Sequence, residues 1–134
     1  MTFDKGPRGY FTMAGQTPES AVKGLEAAGV DVLGTNCGNG IDRMLEIATQ
    51  MRAATKAFIW VKSNAGIPRH VKGQPPVYPE SPEFMAERFE KLARLPVNVL
   101  GGCCGTGPDH IRALAEIVHN KGLRAKPVAK LTSQ

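Results

Sequence analysis

Three cysteines are the residues of this sequence best placed to do chemistry: Cys37 alone, and Cys103 and Cys104 side by side. Thiolates bind zinc at about 2.3 Å, and three of them leave the fourth tetrahedral position open, as in catalytic rather than structural sites. Neighbours within a regular strand point to opposite faces, so Cys103 and Cys104 can share one ion only across a sharp turn. Gly101, Gly102 and Gly105 frame the pair and are read as the residues that order that turn, because glycine takes conformations closed to other residues. Two other readings stand beside this one. A lone cysteine such as Cys37 is often a small buried hydrophobe, and a vicinal pair can form a strained redox disulfide. An odd cysteine count in a chain without signs of export favours a site over a disulfide scaffold.

For these thiols to meet, positions 37 and 103 must converge, and the patterning of the chain indicates how. Thr17-Pro18-Glu19 reads as a helix start, with a capping Thr, Pro at the first helical position and an acid in the first turn. Ala21, Val22, Leu25 and Ala28 follow at helical spacing, and Gly29 ends the run. An apolar strand over 30–34 then delivers Thr35-Asn36-Cys37. A second helix spans about 41–55, and a strand over 58–61 ends in Lys62-Ser63-Asn64-Ala65-Gly66. The loop after it carries Pro68, Pro75, Pro76 and Pro79 and is expected to lack regular structure. Ser81-Pro82-Glu83 caps a third helix, a strand over 97–100 leads into Gly101-Gly102-Cys103-Cys104-Gly105, and a last helix covers 108–119 before Gly122. Residues 126–134 read as a frayed tail outside a domain of 1–125.

Strands alternating with helices imply parallel, right-handed βαβ units. Each unusual polar or cysteine residue then falls just beyond the C-terminal end of a strand, the face on which parallel barrels build their active sites. A closed eight-unit barrel takes about 250 residues, whereas this chain has 134. The fold class is therefore α/β, a partial (β/α)8 TIM barrel.

Composition removes several functions. No apolar stretch approaches the ~20 residues of a membrane span, and the first residues lack the apolar core of a secretory signal, which makes a cytoplasmic, membrane-free protein the expectation. The net charge is +5, yet Lys and Arg are scattered and aromatic residues make up only 6%, so no nucleic-acid surface is expected. Some of that charge could draw in an anionic substrate or cofactor such as a folate tail.

The motifs Gly34-Thr35-Asn36-Cys37-Gly38, Lys62-Ser63-Asn64-Ala65-Gly66 and Gly101-Gly102-Cys103-Cys104-Gly105-Thr106, followed by Pro108-Asp109-His110-Ile111, resemble the homocysteine S-methyltransferase family over nearly the whole chain. In order and spacing they match the C-terminal half of that family's barrel, from a strand-5 remnant at Met1 to helix 8. The segment Thr2-Phe3-Asp4 through Gly9-Tyr10-Phe11-Thr12-Met13 is most similar to the cobalamin-dependent methionine synthase branch. The resemblance implies that Cys37, Cys103 and Cys104 hold Zn2+ and that Asn64 is a fourth ligand or substrate contact. Asn64 has an alternative role in stabilising a turn, and Asn36 is read as ordering the Cys37 loop. It further implies homocysteine as substrate, methionine as product, and methylcobalamin or methyltetrahydrofolate as donor through a corrinoid or folate domain elsewhere.

The family's N-terminal barrel half, which holds the amino-acid end of homocysteine, has no counterpart in this sequence. A complementing half or self-association is expected, with a non-catalytic zinc-binding remnant as the alternative. Gly107 stands where the family has Thr or Ser, which should loosen the last helix's cap. His110 is read as surface or packing, and His70 and His119 carry no chemical context.

Overall fold

Four helices and a parallel sheet of three strands make up the architecture in the computed structural model, which describes residues 1–122. The tail expected at 126–134 lies outside the described residues. Two short strands, β1 (Asp4–Gly6) and β2 (Gly9–Phe11), form an antiparallel hairpin. There follow α1 (Pro18–Ala27), β3 (Val32–Asn36), α2 (Ile41–Ala54), β4 (Phe58–Ser63), α3 (Pro82–Arg94), β5 (Val99–Gly102) and α4 (Pro108–Asn120). The large sheet has the order β3-β4-β5, all parallel. Among the described residues it is open rather than closed into a barrel.

Local chemistry accounts for the helix starts. The Thr17 hydroxyl accepts from the Ser20 N–H at 3.1 Å and the Ser81 hydroxyl accepts from the Phe84 N–H at 3.2 Å, each ahead of a proline in the first turn. The starting residues of α2 and α4, Gly40 and Gly107, have no capping side chain, so their exposed N–H groups are met from elsewhere. At α4 the ring of His110 supplies the acceptor, its Nδ1 receiving the Gly107 N–H at 3.2 Å. That bond offsets the looseness expected from glycine at position 107.

Strands alternate as period-2 elements must. Leu33 and Thr35 of β3 and Ile59, Val61 and Ser63 of β4 are buried beneath the helices. Against them pack Ile41, Met44, Ile47 and Met51 of α2 and Met85, Phe89 and Leu92 of α3. The opposite face carries Val32, Phe58, Trp60 and Val99, each between 36% and 46% exposed. The sheet is therefore apolar on both faces but covered on one.

Three details depart from the sequence-based expectation. The strands expected at 30–34 and 97–100 run two residues later. Gly29 has φ +79° and turns the chain out of α1 before pairing begins at Val32. Near β5, the Asn98 side-chain oxygen accepts from the Ile59 N–H at 2.9 Å while the Asn98 backbone N–H donates to the Ile59 carbonyl, so a side chain occupies the ladder where strand was expected. The proline-rich loop contains one regular feature, an antiparallel bridge between Arg69 and Val77, which folds it back on itself.

Sequence patterning does not announce the β1–β2 hairpin, and the resemblance implies a strand remnant at Met1. Among the described residues no strand includes Met1, which instead makes two main-chain bonds to β3. The Met1 amino group donates to the Gly34 carbonyl at 2.7 Å and the Asn36 N–H donates to the Met1 carbonyl at 2.9 Å, the bonds of a parallel neighbour to β3. The chain then turns into the hairpin, which docks through buried Phe3 and Tyr10 and a 2.6 Å bond from the Tyr10 hydroxyl to Glu46.

Burial, rather than capping, should dominate the stability of α3. Phe89→Ala is expected to cost about 3–5 kcal/mol and Ser81→Ala about 1 kcal/mol in urea-unfolding experiments. Equal losses would mean that α3 is held by its own turn instead of by the core.

Candidate metal centre

Each strand of the large sheet hands over, at its C-terminal end, to one residue singled out in the sequence. β3 ends at Asn36 and is followed by Cys37, β4 at Ser63 followed by Asn64, and β5 at Gly102 followed by Cys103. Parallel register makes those ends neighbours, with Asn36 opposite Lys62 and Ser63 opposite Gly102. Main-chain bonding then continues beyond the strands. The Cys37 N–H donates to the Lys62 carbonyl at 3.1 Å, the Cys103 N–H to the Ser63 carbonyl at 2.7 Å, and the Ala65 N–H to the Cys104 carbonyl at 2.9 Å.

Two local conformations aim the thiols. Cys37 has φ +61°, the one positive value among non-glycine residues of the described chain. Such a conformation is uncommon for a residue with a Cβ and persists where surrounding bonds enforce it. Here its carbonyl accepts from the Asn39 N–H at 2.8 Å, and the Asn39 side chain donates to the Phe3 carbonyl at 2.6 Å. Cys103 and Cys104 sit in a turn closed by the Thr106 N–H on the Cys103 carbonyl at 3.1 Å, with Gly105 at φ +78° in its third position. Gly105 is constrained twice, since a Cβ there would also overlap the ring of Tyr78. Gly101 and Gly102 belong to β5 and lack positive φ. A Cβ on Gly102 would overlap the Thr106 side chain, while one on Gly101 would make only ordinary contact with Lys62 at 3.5 Å.

The result is three free thiols whose sulfurs all lie within 4.8 Å of one another, Cys37 and Cys104 being 3.6 Å apart. Bonds of about 2.3 Å at tetrahedral angles require sulfurs roughly 3.8 Å apart. The donor set and its spacing therefore fit a soft, tetrahedral cation such as zinc, and the three cysteines could hold one. Asn64 is buried beside them, and its side-chain oxygen accepts from the Cys104 N–H at 3.1 Å. Asn36 contributes its backbone, whose carbonyl accepts from the Thr2 hydroxyl at 2.9 Å.

Electrostatics separate the thiols. Burial works against ionisation of Cys37, but the Gly38 N–H and then the Cys104, Cys103 and Asn64 side chains outweigh it and bring its pKa below the ordinary thiol value. Cys104 is shifted the other way, first by its hydrogen bond to Cys37, then by burial and by the charge of the other two. Tyr78 is raised by burial first and then by the adjacent Cys104 sulfur.

Three residues beside the thiols are not singled out by sequence patterning. Asn39 bridges the Cys37 loop to Phe3, and its carbonyl also accepts from the Asn64 N–H at 3.1 Å. Tyr78 lies over Gly105, and Glu80 accepts from the Ile41 N–H at 3.2 Å. Asn39 was legible in principle from the turn-forming string Cys37-Gly38-Asn39-Gly40. Tyr78 and Glu80 arrive from a loop whose path no local pattern specifies. His110 joins α4 to that loop through Nε2 and the Glu80 carbonyl, 2.9 Å apart. A family model described as homocysteine S-methyltransferase matches residues 1–118.

In the metal-free chain, alkylation of Cys37 by iodoacetamide should rise at lower pH than that of Cys104, because the thiolate is the reacting form. Peptide mass spectrometry after timed exposure at a series of pH values gives the two midpoints. A Cys104 midpoint below that of Cys37 would refute the assigned order of ionisation.

Proposed function

The chain belongs to the homocysteine S-methyltransferase family, and on that membership we propose that it is a zinc-dependent homocysteine S-methyltransferase that works in methionine synthesis. The observation carrying this reading is the convergence of Cys37, Cys103 and Cys104 from separate strand ends to within 4.8 Å. An open face of three thiolates suits activation of a fourth thiol. A free thiol ionises near pH 8.5, so little is thiolate at neutrality. Cys37, Cys103 and Cys104 would hold zinc, whose charge would favour the thiolate form of a substrate thiol and keep its sulfur electron-rich towards a methyl group.

The chain's own residues position that event. Asn64 is the candidate fourth ligand or substrate contact; the bond it accepts from the Cys104 N–H fixes its amide beside the sulfurs. The left-handed Cys37 and the Cys103–Thr106 turn hold the thiolates before any ligand arrives; Gly105 orders the second of these loops, Gly102 leaves room for its Thr106 side chain, and Gly101 leads into it as part of β5. Asn36, ending β3, orders the first. The described residues 1–122 correspond, on this reading, to the C-terminal half of a (β/α)8 barrel. The amino-acid end of homocysteine is held by a complementing half or a second copy of this chain, which covers Val32, Phe58, Trp60 and Val99. The donor is methylcobalamin or methyltetrahydrofolate, carried by other domains or chains. The setting is cytoplasmic, consistent with the finding that no helix among the described residues is long and apolar enough to cross a membrane.

Zinc content and X-ray absorption test this reading. About one zinc per chain is expected, bound by three sulfurs and one nitrogen or oxygen, and homocysteine should replace the lighter ligand with a fourth sulfur. A ligand sphere unchanged by homocysteine would overturn the thiol-activation role.

A further inference from the structure

Glu80 stands outside the cysteine cluster but bonds to, or just beyond, every loop that builds it. Its N–H donates to the Ala65 carbonyl at 2.9 Å, directly after Asn64. The Glu80 carbonyl lies 2.9 Å from Nε2 of His110, in the first turn of α4 just beyond the Cys103–Cys104 turn. Because Nδ1 of the same ring accepts from the Gly107 N–H, Nε2 carries the hydrogen and donates to Glu80. Finally, its carboxylate accepts from the Ile41 N–H at 3.2 Å, at the start of α2 and four residues after Cys37. One residue thus meets the loop after β4 and the first turns of α2 and α4, which follow directly on the loops after β3 and β5.

The carboxylate bond spans 39 positions of sequence and meets a specific need. Gly40 begins α2 without a side chain to cap it, and an anion at a helix N-terminus is favoured by the exposed N–H groups and the helix dipole. The fit is close. A Cβ on Gly40 would overlap the Glu80 carboxylate, and one on Gly66 would come within 3.0 Å of its Cγ. Glycine at both positions leaves room for this side chain to lie between the Cys37 loop and the Asn64 loop. Burial raises the Glu80 pKa, while the Ile41 N–H opposes the rise.

We infer that Glu80 is a positioning residue of the three-thiol centre: it sets the spacing of the thiols by tying their three loops together. The inference rests on the metal-binding reading above for its biological meaning, though the geometry concerns the thiols alone. Removing a residue that orients metal ligands typically weakens metal binding about 10–100-fold, and a loss in that range is expected for Glu80→Ala. Both main-chain bonds remain in either variant, and Glu80→Gln also keeps an acceptor for the Ile41 N–H, so it should restore most of the affinity.

Zinc affinity of the full chain is measured by competition with a chromophoric chelator, with folding followed by far-UV circular dichroism. Ser81→Ala is the control, because it weakens the neighbouring cap of α3 without touching the bonds of Glu80. If Glu80→Ala binds zinc as tightly as the parent, the inference fails. It also fails if Ser81→Ala loses as much affinity, since binding would then merely follow stability. Should Glu80→Ala not fold, Glu80→Asp takes its place, keeping the charge but withdrawing it from the Ile41 N–H; weakened zinc binding supports the inference and parental affinity overturns it. A parent chain that binds no zinc would sink the metal reading, and the Glu80 inference is then decided by the rate at which diamide links Cys37 to Cys104 in the metal-free chains. That rate falls in Glu80→Ala if Glu80 sets the spacing, and an unchanged rate refutes it.

Discussion

The cysteine cluster depends on a parallel hydrogen-bond ladder that outruns its strands. β3, β4 and β5 stop at Asn36, Ser63 and Gly102, yet Cys37 still bonds to Lys62 and Cys103 to Ser63. Neighbouring strands lie about 4.8 Å apart, so the two outer strands of a three-stranded sheet are separated by roughly 10 Å. The sulfurs, by contrast, all fall within 4.8 Å. The outer loops must therefore bend inward over the end of β4, where Asn64 sits. The left-handed backbone at Cys37 performs that bend on one side, and the glycine turn after Cys103 performs it on the other.

Convergence of this kind has two costs, and the surrounding residues are arranged against both. A non-glycine residue in the left-handed region costs about 1–3 kcal/mol. Asn39 bonds to the carbonyl of Cys37 and to Phe3 and Asn64, which makes any relaxed alternative lose several hydrogen bonds at once. The second cost is electrostatic. The Cys104 and Cys103 thiols favour the Cys37 thiolate by hydrogen bonding to it, and that charge in turn works against ionisation of Cys104. A cation removes that conflict, because its charge favours the ionised form of all three. The spacing of the sulfurs fits that chemistry.

How much of this was legible in the sequence follows from how local each cause is. Caps such as Thr17 and Ser81 act within one turn, so they marked α1 and α3 correctly. The register that unites positions 37, 64 and 103 was also readable, because alternating strands and helices leave few ways to order a parallel sheet. By contrast, the β1–β2 hairpin rests on tertiary docking of Phe3 and Tyr10, and its three-residue strands carry too little periodicity to declare themselves. The shift of β5 arises because an Asn98 side chain stands in for backbone. Glu80 caps a helix that begins 39 positions earlier, and no window of neighbouring residues contains that relation.

The uncovered face of the sheet bears on the site as directly as the loops do. A sheet meant to meet water on one side alternates apolar and polar residues, whereas parallel strands buried on both sides are apolar throughout. β4 reads Phe58-Ile59-Trp60-Val61 before its first polar residue, and Val32 and Val99 flank it on the exposed side. Only near the strand ends does this face become polar, at Lys62, whose ammonium lies 4.9 Å from the Trp60 ring, and at Asn36. The apolar floor therefore leads up to the rim that carries the thiols. Trp60 and its neighbours thus lie on the same face as Lys62 and Asn36, directly below the strand ends that deliver the thiols.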